Sequence, residues 1–510
     1  MDKTLTEKHS LKNIKKGTIF GYISLALNIA SGFLFVPLIL QQLGNQYGLF
    51  SLATSIINLF LVDFGLSSTA NIFLTRKRIE GDTDGLKDII GIFYKLYIIL
   101  DLFFLAFFVG YYFLIGNIYR GLTPAEINDF RIVFIICIGY SLISLPATTL
   151  DGIISAHEEF GFLKIADLVQ KIVYIILMIF VLYFRLGLFI FVLAHAVSTI
   201  AAILLKYLYV RFKLNLKANL KVKFTKTIIK PILFFSIWTA IISILARFPY
   251  NLSPNILGVV SDSDNVTIFG IASTIEGYAY LVSAVIAGFF LPKVARILKQ
   301  TDKSTHHELE KLAKIVGYIQ LFIIGLLLAG FVACGKQFIA LWIGDFEKYK
   351  MVYYGTILIL FALFLIIPLT IYDNALYLKG CVKQIAIIDL ISITIFVALC
   401  FFLSHYLGAF GACLSILISK TVNLIGRMIL YRKFLSVNVL SFIFSTYLRF
   451  VLPVILTSSL VFVFNNNLVS WKNLIVSIIC CIEIYITLAF LFIDKEILTS
   501  LKNTLFKRSA

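Results

Sequence analysis

The chain predicts an all-α polytopic membrane protein with about 14 transmembrane helices, in two six-helix lobes related by a parallel pseudo-repeat, and two further C-terminal helices. Three observations carry the membrane class. The 510 residues are 60% hydrophobic and only 14% charged, with a mean hydropathy of +0.96, whereas soluble domains carry roughly one quarter charged residues. Apolar runs recur along the whole chain, each near the roughly 20 residues that cross a bilayer core as helix. The net charge of +18 falls almost entirely in alternate gaps between those runs.

The spans read in order as 18–40, 48–67, 89–115, 131–150, 165–184, 187–209, 231–258, 266–291, 313–333, 352–372, 384–404, 407–428, 445–465 and 472–493. Lys3, Lys8, Lys12, Lys15 and Lys16 precede the first. That flank mimics a signal peptide, but the apolar run is too long for one and no small-residue cleavage site follows. Further cations gather after span 2 (Arg76, Lys77, Arg78, Lys87), after span 6 (Arg211, Lys213, Lys217, Lys221, Lys223, Lys226, Lys230) and after span 8 (Lys293, Arg296, Lys299, Lys303). One side collects 33 cations, the other seven, and five lie inside spans. The positive-inside rule then places both termini in the cytoplasm. The same parity separates spans 5 and 6, which only Arg185–Gly187 divides. Fusing them would put the seven-cation loop opposite the N-terminus. Because topology accounts for the charge, nucleic acid is not an expected partner.

The gaps also divide the chain. Residues 1–210 form an N-terminal lobe of spans 1–6, 211–230 a basic cytoplasmic linker, 231–433 a C-terminal lobe of spans 7–12, and 434–510 the extra spans 13–14 with a cytoplasmic tail. A faint repeat relates the lobes. Pro37 in span 1 is followed by the turn Leu43-Gly44-Asn45-Gln46 and Tyr47-Gly48-Leu49; Pro254 in span 7 by Ser261-Asp262-Ser263-Asp264-Asn265 and Phe269-Gly270-Ile271. Both turns face the same side, as a parallel repeat requires. Ala295–Leu312 alternates basic and apolar residues, which suits either an interfacial helix or a solvated connector.

Enzyme signatures are missing. The chain has no H-E-x-x-H, G-x-S-x-G, P-loop or Rossmann glycine fingerprint. Its seven cysteines form no C-x-x-C and lie mostly within spans, as small apolar filler would. His157 has no second ligand at helical spacing. No metal, cofactor or catalytic residue is expected, and the reading is a transporter rather than an enzyme.

Ionisable groups inside spans are costly and face a cavity or a partner. Arg247 in span 7 is the sharpest candidate, because a guanidinium near mid-membrane can hold a phosphate bidentately. A structural pair with Glu276 or Asp389 is the alternative. Lys95 and Lys420 each lie within about two turns of the cytoplasmic side, where they either meet substrate or snorkel. Glu276 in span 8 and Asp389 in span 11 are coupling or ion-pair candidates, as is Asp101 in span 3. Asn28 in span 1 and Asn58 and Asp63 in span 2 read as polar or structural groups, with interhelical hydrogen bonding the plainer role for the asparagines.

These residues resemble the polysaccharide repeat-unit flippases, of O-antigen and capsule type, in the multidrug/oligosaccharidyl-lipid/polysaccharide exporter superfamily. The resemblance covers essentially the whole chain. It rests on Asn13-Ile14-Lys15-Lys16-Gly17, Pro37-Leu38-Ile39-Leu40, Leu43-Gly44, Tyr47-Gly48-Leu49-Phe50, Asp63-Phe64-Gly65-Leu66 and Trp342-Ile343-Gly344, together with the 6+6+2 span pattern. It implies a bacterial cytoplasmic (inner) membrane protein. Its spans 1, 2, 7 and 8 would line a cavity open alternately to each side. The substrate would be an undecaprenyl-pyrophosphate-linked oligosaccharide, and polymerase and chain-length proteins of the same pathway are candidate partners. Spans 13 and 14 would hold the lipid tail, although Glu483 interrupts span 14. The rivals are a drug/cation antiporter or lipid II-type flippase of the same superfamily and, from another class, a membrane glycan polymerase or ligase. The last generally needs a large external loop, and the longest here is about 15 residues.

Overall fold

A computed structural model describes residues 3–60, 66–223, 226–299, 304–464 and 469–492. Among them the regular structure is helical, as a chain immersed in lipid requires: with no water in the hydrocarbon, each backbone N–H and C=O must be satisfied within its own segment. Among the described residues ten helices are long and apolar enough to cross a membrane, and Leu448–Val463 is a shorter apolar helix.

In chain order the helices are α1 (Lys3–Leu43), α2 (Gln46–Phe60), α3 (Leu66–Glu80), α4 (Thr83–Ile118), α5 (Pro124–Ala156), α6 (Phe160–Tyr183), α7 (Gly187–Leu208) and α8 (Lys226–Val260). Then follow α9 (Ser263–Lys299), α10 (Ser304–Ile343), α11 (Phe346–Ile366), α12 (Thr370–Leu378), α13 (Val382–Leu435), α14 (Val439–Thr446), α15 (Leu448–Phe464) and α16 (Trp471–Phe492). Polar residues start several of them. Asp82 accepts from Gly85 N at 2.8 Å to open α4, Thr123 and Glu126 form a capping box on α5, and Asp345 accepts from Lys348 N at 3.0 Å on α11.

Two turns settle how apolar runs divide. Spans 5 and 6 are the separate helices α6 and α7, reversed through Arg185 (φ 53°) and Gly187 (φ 79°). Gln170 Nε2 reaches Thr199 Oγ1 at 3.1 Å across that hairpin. The 54 residues of α13 break at Gly408, whose φ of 55° and ψ of −134° are open to glycine alone. Beyond it the chain folds back, so that Ser419 donates to Ser392 O at 2.8 Å and Asn423 to Asp389 at 2.7 Å. Spans 11 and 12 are therefore the two arms of α13. Span 10 is broken too: α11 passes through a 3₁₀ turn at Ile367–Leu369, around Pro368, before α12. Of the stretch 295–312, residues to Lys299 end α9 and residues from Ser304 begin α10, while 300–303 lie outside the described residues.

The chain divides into two compact units, Met1–Thr267 and Ile268–Ala510. In the first, α1 runs parallel to α6. Asn28, Phe35 and Gln42 meet Lys171, Tyr174 and Leu182 in the same order. α8 packs on α2 in this unit. In the second, α10 is the central post, with Tyr318, Leu321, Ile324 and Leu328 buried against α11, α12, α14, α15 and α16. Tyr485 of α16 donates to Leu321 O at 3.3 Å, tying the last helix to that post.

Candidate functional site

The polar interior of the first unit is built where α1, α2, α5, α6 and α7 meet. Lys171 Nζ donates to Asn28 Oδ1 at 2.7 Å and lies 5.0 Å from the Tyr174 ring centroid. The His195 ring stands 5.7 Å from both Tyr174 and Tyr140 and 6.1 Å from Phe50, each edge-on. Among the described residues Lys171 forms no ion pair, unlike Lys206 nearby in sequence, which is held by Asp151 at 2.8 Å and Asp167 at 3.6 Å. An ammonium has three donor protons, and Asn28 takes one. A half-buried cation with no carboxylate partner among the described residues attracts an anion more strongly than a fully solvated one, because less water screens it.

Charge parity hid this residue, because its place near the start of span 5 assigns it to the basic side. The available signal was the spacing of Lys171 from the next carboxylate. Residues 168–261 contain no Asp or Glu at all, against eleven Lys and Arg.

The residues singled out from sequence fall in both units. In the first, Arg247 of α8 is half-buried, with its guanidinium carbon 4.2 Å from the Tyr250 ring centroid. Lys95 of α4 donates to Val222 O at 2.7 Å and so fastens the linker. Asp101 is half-buried on α4, and Asn58 is exposed on α2. Asp63 lies outside the described residues. In the second unit, Glu276 is fully buried on α9 and Lys420 half-buried on α13. Asp389 belongs to a dense network: Arg427 donates to Asp389 at 2.7 Å and to Asp373 at 2.5 Å, and Tyr431 OH donates to Asp373 at 2.7 Å. Asn423 completes it from the facing arm of α13. Arg427 and Asp373 were not singled out, since neither signals its partner 54 residues away.

At the end of the first unit away from the basic loops, the two repeat-like turns meet. A Cβ on Gly48 would lie 2.6 Å from Thr267 Oγ1 and 2.7 Å from Ser263 O, so the signature glycine is a point of close approach. Asn255 of α8 donates to Ser55 of α2 at 2.9 Å and accepts from Tyr119 at 2.8 Å, all three buried or nearly so. Ser263 donates to Glu126. Burial pushes the Glu126 carboxyl up, but bonds from Ser263 and from the Thr123 backbone and hydroxyl outweigh it and hold the group below its ordinary value.

No group of three or more His, Cys, Asp or Glu suited to a metal occurs among the described residues. The arrangement offers cations, amides and aromatic faces, which bind and orient a polar ligand.

No curated protein matches the sequence. Solved structures do match the fold. The inward closed conformation of the lipid II flippase MurJ superposes with a TM-score of 0.70 at 13% identity, over 93% of this chain and 98% of that one. An inward-facing multidrug resistance MATE family transporter of the MOP superfamily gives 0.61 at 14% identity, over 81% and 94%. A MOP superfamily transporter from Pyrococcus furiosus, described as having a binding pocket of reverse polarity, gives 0.55 at 15% identity, over 85% and 97%. Identities this low establish the fold alone: a multi-pass helical membrane protein built like MurJ and MATE transporters. In sequence, the family described as "Polysaccharide biosynthesis protein" matches residues 14–298, more than half of the chain. The protein is a member of the polysaccharide biosynthesis protein family.

Proposed function

We propose that the protein is a flippase for lipid-linked oligosaccharides, moving undecaprenyl-pyrophosphate-linked repeat units from the cytoplasmic to the outer leaflet by alternating access. It resides in the bacterial cytoplasmic membrane with both termini inside, and serves surface polysaccharide synthesis of O-antigen, capsule or exopolysaccharide type. The observation that carries the reading is the acid-free stretch 168–261, with Lys171 held by Asn28 inside the first unit. A pyrophosphate diester needs cations and hydrogen-bond donors, whereas a drug cation needs carboxylates. Arg247, Lys95 and Lys420 remain candidate contacts to the pyrophosphate or sugars; Glu276, Asp389 and Asp101 remain coupling or ion-pair candidates. Family membership and the MurJ fold support a lipid-linked substrate. Moving one charge through 100 mV involves about 2.3 kcal/mol, and for an anion leaving a negative interior that field assists.

A lipid II-type flippase is the second reading, favoured by the likeness to MurJ over nearly the whole chain. Both substrates share polyprenyl pyrophosphate and differ in the sugar. Deleting the gene and analysing surface glycans separates them. Loss of one polymer, with its lipid-linked units accumulating inside, is the expected outcome. Lysis with lipid II accumulation supports the second reading, and unchanged glycans with raised drug sensitivity overturn both.

A further inference from the structure

We infer that the first unit carries a binding site for an anionic phospholipid of the surrounding bilayer, seated beneath the basic linker at the end of α7. A cavity of about 370 Å³ opens there between α4, α5 and α7, within the size range of small-molecule sites. Its walls are apolar, from Ile90, Ile98, Leu150, Ile153 and Val210, and Arg211 and Lys217 stand beside them. Ile98 and Tyr207, at 46% and 50% exposed, line the cavity and also face outward from their spans. The pocket thus communicates with the surface that bilayer hydrocarbon covers. An apolar slot entered from the hydrocarbon, with two cations on its rim, matches an acyl chain joined to a phosphate.

The roof of the slot is held in place from several directions. α7 ends in one π turn at Tyr209–Lys213, and Leu214 N and Leu216 N bond back to Tyr209 O and Val210 O at 3.1 and 3.2 Å. Asn219 donates its backbone N–H to Lys87 O at 3.0 Å and its amide to Asp88 at 2.7 Å, while Lys95 grips Val222 O at 2.7 Å. A Cβ at Gly91 would lie 2.0 Å from Asn219 O, so the linker can approach α4 only over glycine. Lys95 therefore acts on the roof of this slot. Polybasic segments are drawn to an anionic leaflet by charge alone. A built slot adds chain-dependent retention, and that difference is measurable.

The test uses the full-length protein in nanodiscs of equal phosphatidylglycerol and phosphatidylcholine, with retained lipid read by native mass spectrometry. Wild type is expected to retain phosphatidylglycerol at least fivefold over phosphatidylcholine. Arg211→Ala/Lys217→Ala should lose most of that preference. Lys221→Ala/Lys223→Ala, which removes equal charge outside the slot, should keep it. Ala218→Trp, which fills the slot with the cations intact, should lose retention while remaining monodisperse and thermally stable. Equal losses in the two double variants, or full retention by Ala218→Trp, would overturn the proposal in favour of diffuse surface charge. Displacement of phosphatidylglycerol by stoichiometric undecaprenyl phosphate would overturn it in favour of a substrate site.

Discussion

Replacing Lys171 with methionine removes the charge but keeps an unbranched apolar stem of similar length. The variant loses the 2.7 Å bond to Asn28 and the contact with Tyr174. A hydrogen bond to a charged group contributes about 1.5–3 kcal/mol net, but the substitution also relieves a half-buried ammonium of its desolvation cost. The two oppose, so thermal stability should change by no more than about 1–2 kcal/mol. A substrate pyrophosphate has no such compensation. Losing one charge-assisted contact of about 1.5–3 kcal/mol weakens apparent affinity roughly 10- to 150-fold, at 1.4 kcal/mol per decade. Asn28→Ala breaks the same internal bond while leaving the ammonium, and should lower transport only a few-fold. Surface polymer per unit protein, measured in a deletion strain complemented by each variant, gives the comparison, with Lys171→Arg expected to restore most function. The reasoning fails if Asn28→Ala loses as much transport as Lys171→Met, or if Lys171→Met exports normally.

Further outcomes follow from other contacts. Arg427→Met strands Asp373 and Asp389, 19% and 10% exposed, without their shared cation. Thermal unfolding should show a loss of about 3–5 kcal/mol, partly recovered by adding Asp389→Asn. Gly258→Ala puts a Cβ 2.7 Å from Leu52 Cδ1 and 2.9 Å from Tyr119 Cδ1. It should cost about 1–3 kcal/mol and raise maleimide labelling of Ser55→Cys, in a Cys480→Ser background that removes the exposed native thiol. Glu126 has a depressed pKa through its hydrogen bonds. Its contribution is therefore complete above the ordinary carboxylate value and fades as pH falls through the lowered one. Because maleimide reacts with the thiolate, labelling at Ser55→Cys is read relative to a solvent-exposed reference thiol at each pH; that ratio should stay flat from neutral pH down to about 4.5, rise only below that, and lose this dependence in Glu126→Gln.

What the sequence revealed was what repeats locally. Apolar runs at bilayer length and alternating charge yield the helices and the reversal between α6 and α7, because both signals need only neighbouring residues. The fold-back at Gly408 fits a short gap between spans 11 and 12 for the same reason. Partner choice was not legible. Lys171 and Asn28 are 143 residues apart, and Asn255 and Ser55 are 200 apart. A lysine near the basic end of a span looks the same whether it snorkels, caps a carbonyl like Lys95, or turns inward like Lys171. Only packing of α1 against α6 separates these cases. The Tyr-Gly turn signatured a repeat, but its steric reason, close approach to Thr267 and Ser263, appears only when both turns are in place.

The charge of the site also decides where a membrane potential acts in the transport cycle. The protein's own charges return each turn, so the net work comes from the substrate and any coupled ion. The half-steps differ, however. With Lys171 as the one site cation and a doubly charged pyrophosphate, the loaded step carries one negative charge outward and the empty return carries one positive charge inward. A negative interior assists both, by up to about 2.3 kcal/mol per 100 mV each. In Lys171→Met the loaded step carries two negative charges and the return none. Single-turnover translocation in liposomes under a potassium diffusion potential should therefore show a voltage slope about twice the wild-type one, even as affinity falls. If Arg247 also contacts the pyrophosphate, wild-type single turnover becomes nearly voltage-independent and either single variant acquires a one-charge slope. Equal slopes in wild type and Lys171→Met would mean that Lys171 does not travel through the field with the substrate, and the binding role assigned to it would fall.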